Sequence, residues 1–162
     1  MGPQQAIAVC LRKYATFSGR ASRPEFWWFM GALWLGSAVM AVLDATLFGA
    51  DPDAGGPLSL IFGLATFLPG LAAGWRRMQD TGRMGLYLLY PVTIMIGLGF
   101  AASVLEGTGL ADMPVLEGPG LFALLAVMIL FLLSPFIVLY WLLRPSQPGP
   151  NAYGPNPNEV MP

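Results

Sequence analysis

Four stretches of this chain, residues 23–48, 57–75, 83–105 and 120–143, are long, apolar and nearly free of charge. A helix of about 20 apolar residues crosses the roughly 30 Å hydrocarbon layer of a bilayer, and each stretch is of that order. In water, such stretches would need polar surface to cover them. Only 10% of the 162 residues are charged, against about 25% in an ordinary soluble domain. The reading is an all-α, polytopic membrane protein: one membrane domain over 1–162, with four transmembrane helices. The second stretch is the shortest and contains Pro69-Gly70, which predicts a kink or a partial unwinding. Pro91 and Pro135 lie inside the third and fourth. A membrane helix tolerates them if neighbouring groups satisfy the carbonyls they leave without a donor.

Charge sets the orientation. The basic residues fall before the first span or on its first residue (Arg12, Lys13, Arg20, Arg23), in the middle loop or on the first residue after it (Arg76, Arg77, Arg83), or just after the last span (Arg144). The other two loops carry only acids: Asp51 and Asp53 in one, Glu106, Asp112 and Glu117 in the other. The positive-inside rule then places both termini in the cytoplasm. The first apolar run starts too late, and is too long, for a signal-peptide core, so it reads as an uncleaved anchor. Residues 1–22 read as a short interfacial amphipathic helix and a linker. Ile7, Cys10, Leu11 and Tyr14 recur at helical spacing with Arg12 and Lys13 beside them. Ser22 and Glu25 have the spacing of a capping box for the first span. The tail, 144–162, is rich in Pro, Gly and Asn, the composition of a flexible segment.

Several chemistries are missing. The chain has no histidine and one cysteine, Cys10. Serine–histidine hydrolases, cysteine–histidine proteases and histidine- or cysteine-ligated zinc sites are excluded on those grounds. Neither a metal nor another cofactor is expected, nor a nucleic-acid partner.

Three stretches on the cytoplasmic side form a recognisable set. They are Phe17-Ser18-Gly19-Arg20-Ala21-Ser22-Arg23-Pro24-Glu25-Phe26-Trp27, then Arg76-Arg77-Met78-Gln79-Asp80-Thr81-Gly82-Arg83, then Ser146-Gln147-Pro148-Gly149-Pro150-Asn151 followed by Tyr153-Gly154-Pro155-Asn156-Pro157. In that order around four spans they resemble the domain of unknown function 805 family, small YhaH-like proteins of the bacterial inner membrane. The resemblance implies a fold and an inner-membrane location, and no activity. Two positions depart from the family pattern: Gln79 stands where a histidine is usual, and Pro150 where an acid is usual.

The cytoplasmic face carries the main candidate site. Arg20, Arg23, Arg76, Arg77 and Arg83 all lie within a few residues of span ends. Positive-inside topology with attraction to anionic headgroups accounts for them plainly. The sharper account is a built site for anionic lipid headgroups, because arginine grips phosphate or carboxylate bidentately where lysine does not. In that account Asp80 or Thr81 caps the third span. If the second helix continued past residue 75, Arg76, Asp80 and Arg83 would share a face, making Asp80 a structural clamp ahead of a catalytic acid. Ser22, Glu25, Asn151, Tyr153 and Asn156 join Asp80 in that clamp, with the tail folding back onto the arginines.

Asp44, near the outer end of the first span, reads as a boundary residue or as part of an ion path. Gly70 to Gly74 and the Ala32/Gly36 pair are small-residue patterns that suit packing within the monomer or a homo-oligomer. Trp27, Trp28 and Trp75 suit an aromatic belt. Three functions follow: a non-enzymatic protein binding anionic lipid or a partner protein, a small oligomeric channel or transporter subunit, and a lipid-headgroup enzyme. The spans offer little polar lining for a channel. Only Glu25 and Asp80 could serve an enzyme as acid and base, so the balance is against one.

Overall fold

The computed structural model of the protein describes residues 1–51, 55–108 and 119–159. Asp53, Asp112 and Glu117 of the acidic loops lie outside the described residues. The elements are α1 (Pro3–Arg12), α2 (Arg23–Phe48), α3 (Pro57–Asp80), a 3-10 turn (Gly85–Leu89), α4 (Tyr90–Thr108) and α5 (Pro119–Leu143). Among the described residues there is no strand, and four helices are long and apolar enough to cross a membrane.

The chain divides into two compact units. One comprises Met1–Gly85 with Arg144–Pro162, the other Leu86–Leu143. In the first, α2 and α3 form an antiparallel hairpin held by close approaches. A Cβ on Gly36 would stand 2.4 Å from the Phe62 ring, and one on Gly70 would stand 3.3 Å from Leu33. Small residues let helices approach where burial against lipid offers little drive. In this structure Gly36 and Gly70 serve contacts inside the hairpin. The hairpin's loop end is closed by Asp44, whose two carboxylate oxygens accept from the Leu58 and Ser59 amides at 2.9 and 2.8 Å. These are donors of the first turn of α3, which has no side-chain cap of its own. An anion there satisfies free amides and meets the positive end of the helix dipole. A Cβ on Gly56 would lie 2.4 Å from the Asp44 carboxyl carbon, so glycine at 56 makes the approach possible.

Ser22 caps α2, its hydroxyl accepting from the Glu25 amide at 3.4 Å. α3 runs five residues beyond the expected end at 75. Its last turn, Arg76 to Asp80, is charged but still helical, because side chains elsewhere in the same unit satisfy those charges. The helix stops in a Schellman motif. Gly82, at φ 76°, donates to the Gln79 carbonyl, and the Arg83 amide reaches back to Met78 at 3.1 Å. Thr81 is therefore the C-cap of α3, and neither it nor Asp80 caps the third span, which begins at the 3-10 turn.

The prolines have separate remedies. Pro91 falls in the first turn of α4, where its missing N–H is of no consequence. Pro135 deprives the Phe131 carbonyl of its amide, and the neighbouring Ser134 hydroxyl donates to that carbonyl at 2.8 Å. Pro69 deprives the Ala65 carbonyl in the same way, and here the donor is the Tyr14 hydroxyl at 2.5 Å. In the second unit α4 packs on α5, with Tyr87 and Trp141 edge to face at 5.5 Å.

Candidate functional site

The first unit gathers three distant segments around the end of α3: the linker before α2, the last turn of α3, and the tail. Asp80 is at the centre and fully buried. One of its oxygens accepts from Arg20 Nε at 2.9 Å. The other accepts from Arg77 Nη1 and from the Ser146 hydroxyl. Arg77 stands three residues before Asp80, so the pair closes along the helix, while Arg20 comes from sixty residues away.

Arg76 points elsewhere. Its guanidinium meets Glu25 at 2.8 Å, with both side chains nearly inaccessible. The grouping of Arg76, Asp80 and Arg83 on one face is corrected accordingly. Arg76 is drawn to the carboxylate at the start of α2, and Arg83 lies past the helix end, where Nη1 donates to the Thr81 carbonyl at 3.1 Å. Glu25 thus makes only half of a capping box: its amide bonds to Ser22 and its carboxylate faces Arg76.

Cys10 completes this corner, its sulfur 3.8 Å from Glu25 Oε1 and 4.0 Å from Arg76 Nη2. Burial, followed by the nearby Glu25 charge, pushes the thiol up to about 11. The buried face of α1 is Ala6 and Cys10, whereas Leu11 is 47% exposed. This helix turns its small side chains fully inward, with Ile7 and Val9 half-buried and Leu11 outside.

The tail is folded and bound through its backbone. Arg20 donates to the carbonyls of Gly149 at 2.7 Å and Gln147 at 2.5 Å. Arg77 Nη2 and Arg23 Nε both donate to the Arg144 carbonyl. The Gln147 amide donates to the Asp80 carbonyl at 2.9 Å, and Asn151 Nδ2 to the Gln79 carbonyl at 3.0 Å. Asn151 and Gly154 exchange backbone bonds at 3.0 and 3.1 Å. Asn151 and Asn156 each accept from the amide two residues on, the Asx-turn pattern. The Tyr153 amide is the donor to Asn151. The Asn156 side chain reaches Glu159 at 2.7 Å, and Glu159 also accepts from the Gly149 amide.

The charges do not cancel. Three buried guanidiniums, Arg20, Arg76 and Arg77, face two buried carboxylates, Glu25 and Asp80. Main-chain carbonyls offset the excess, some from the tail and some at the negative end of the α3 dipole. The arrangement holds a chain segment in place but offers poor acid–base chemistry, because both acids are ion-paired and buried. The cleft beside it, lined by Thr81, Arg144, Ser146 and Gln147 among others, measures about 220 Å³, smaller than the several hundred Å³ usual for a ligand pocket. Among the described residues, no three His, Cys, Asp or Glu side chains are grouped to hold a metal ion.

Of the five arginines expected to bind anions, Arg20, Arg76 and Arg77 are buried, Arg23 is exposed and Arg83 is partly exposed. Sequence reasoning missed the parts played by Ser146, Gln147 and Gly149, and the engagement of Cys10 and Tyr14. For Tyr14 a partial signal existed: Pro69 marks Ala65 as a carbonyl that requires a donor, without saying which.

The family model described as "Protein of unknown function (DUF805)" matches residues 14–155. Inner membrane protein YhaI of Escherichia coli (strain K12) is 39% identical over 87 residues, spanning 54% of this chain and 70% of the relative. Inner membrane protein YhaH of the same strain is 34% identical over 87 residues, spanning 54% of this chain and 72% of the relative. No solved structure matches.

Proposed function

We propose, for a chain that belongs to the DUF805 family of inner-membrane proteins, that it is a non-enzymatic membrane protein with both termini in the cytoplasm, holding anionic phospholipid headgroups at the rim of its arginine-rich end. One observation carries this reading: the basic residues divide into a buried set and an exposed set. Arg20, Arg76 and Arg77 are turned inward to carboxylates and carbonyls: Arg20 and Arg77 hold the tail with Asp80, Asn151, Tyr153 and Asn156 shape its turns, and Arg76 ties α3 to Glu25 at the Ser22-capped start of α2. Arg12, Lys13, Arg23 and Arg144 are exposed, and basic residues near an anionic leaflet each contribute about 1 kcal/mol of attraction. In this reading Asp44 serves as a hairpin clasp in preference to an ion path, since amides occupy both of its oxygens.

The test is native mass spectrometry of protein released gently from the membrane. Wild type should retain anionic phospholipid, and a triple variant with Arg12→Gln, Lys13→Gln and Arg23→Gln should lose most of it. Equal retention by both would remove the lipid reading. For the orientation, a phosphatase that folds only outside the cytoplasm, fused after the tail, should be inactive. An active fusion would reverse the assignment.

A further inference from the structure

Two prolines interrupt membrane-spanning helices away from their first turns, and each leaves one carbonyl that it cannot serve. In α5 the helix repairs itself, with Ser134 donating to Phe131 at 2.8 Å. In α3 the donor comes from a different element. Tyr14 follows α1 and is 40% exposed, yet its hydroxyl reaches the Ala65 carbonyl at 2.5 Å. Ala65 lies ten residues before Trp75, about 15 Å along the helix, well inside the apolar part of α3. Phe17 packs edge to face on Trp75 at 5.6 Å, so the segment after α1 lies along the hairpin's side.

The rest of the attachment is packing of α1 against α2 and α3. Only Ala6 and Cys10, both small, are fully buried in it, with Ile7 and Val9 half-buried. An element with few fully buried apolar side chains opens more readily than a core helix. A hydrogen bond placed in hydrocarbon adds directly to what holds it.

We infer that α1 and the turn after it form a detachable strap across the α2–α3 hairpin, with the Tyr14 hydroxyl as latch and the Ala65 carbonyl left open by Pro69 as catch. Lifting the strap uncovers the Glu25–Arg76 pair and removes the donor at the α3 proline. The position of α1 is thereby coupled to the backbone of α3 at Pro69. Nothing equivalent operates in α5, where the donor is part of the helix it serves.

The protein carries its own reporter. Cys10 is the sole cysteine, is fully buried on the inner face of the strap, and reacts with a maleimide only when the strap lifts. In nanodiscs the wild-type thiol should label slowly. Tyr14→Phe should label about tenfold faster, the upper end of what one neutral hydrogen bond contributes. Pro69→Ala returns an N–H to the Ala65 carbonyl, so in that background Tyr14→Phe should accelerate labelling only about twofold. Equal rates for Tyr14→Phe and wild type would overturn the latch, and so would the same acceleration in both backgrounds. Chymotrypsin cleavage after Tyr153 in the tail separates local lifting from general loosening. It should stay at the wild-type rate in Tyr14→Phe, and a parallel rise would overturn the inference.

Discussion

Replacing Asp80 by Asn keeps the shape of the side chain and removes its charge. In the wild type the carboxylate faces Arg20, Arg77 and the Ser146 hydroxyl with no measurable exposure. The variant leaves three buried guanidiniums against Glu25 alone, and it turns an amide NH2 toward one of its former donors. Removing one partner of a buried, hydrogen-bonded ion pair costs about 3–5 kcal/mol, because the remaining charge stays buried. The tail is the part least able to withstand this loss, since Arg20, Arg77 and Ser146 all connect Asp80 to it. If most of the loss falls on the docked tail, its open population rises about 100-fold or more, at about 1.4 kcal/mol per factor of ten. Tyr153 is the only aromatic residue of the tail, so chymotrypsin cleavage there reads the opening directly in nanodisc-embedded protein. Cleavage of Asp80→Asn within threefold of wild type would refute the reasoning. It would mean that the carbonyls and the helix dipole hold the arginines without the carboxylate. A double variant, Arg20→Gln with Asp80→Asn, should open less than the two single effects combined, since the partners are removed together.

Asp44→Ala should lower the thermal stability of the hairpin by about 0.5–2 kcal/mol, the range for losing a helix cap, and should leave membrane ion conductance unchanged in a vesicle flux assay. A conductance change without a stability change would return Asp44 to an ion path. Gly36→Ala should cost about 1–3 kcal/mol in thermal unfolding, because the new Cβ lies 2.4 Å from the Phe62 ring and one of them must move. A Phe62→Leu change made with it should recover part of the loss. Thiolate absorbance of Cys10 should titrate near pH 11 in the folded protein. The thiol pKa is raised by folding, so its contribution to stability is complete below pH 9.0, the ordinary thiol value, and falls as pH rises toward 11. A Cys10→Ala variant should lack that fall, and a folded-state titration near pH 9 would contradict the burial.

The spans were legible because the bilayer imposes one length and one polarity on any helix that crosses it. The cap at Ser22 was legible because a helix start is a local matter of three or four residues. The last turn of α3 was not. Arg76 to Asp80 ends the apolar run, but a helix needs only backbone bonds and satisfied side chains to continue. Those side chains are satisfied by Glu25 and Arg20, more than fifty residues away in the chain. The same distance hid the partners of Asp80, since spacing along one helix suggested Arg76 and Arg83. The tail presents the opposite difficulty. Its composition reads as loose because Pro, Gly and Asn disfavour helices and strands, yet carbonyls and Asx turns suffice for a fold when guanidiniums are present to donate to them.

The first unit is assembled from both sides of an intervening helical hairpin: Met1–Gly85 on one side, Arg144 onward on the other. During synthesis, Arg20 and Arg77 exist long before the carbonyls of Arg144, Gln147 and Gly149 that accept their hydrogen bonds. Until α4 and α5 have been made and inserted, those guanidiniums have Asp80 but not the tail carbonyls. Tail docking can therefore come only after the last two helices: a chain that lacks them still forms the Asp80 pairs, but not the bonds from Arg20 and Arg77 to the carbonyls of Arg144, Gln147 and Gly149.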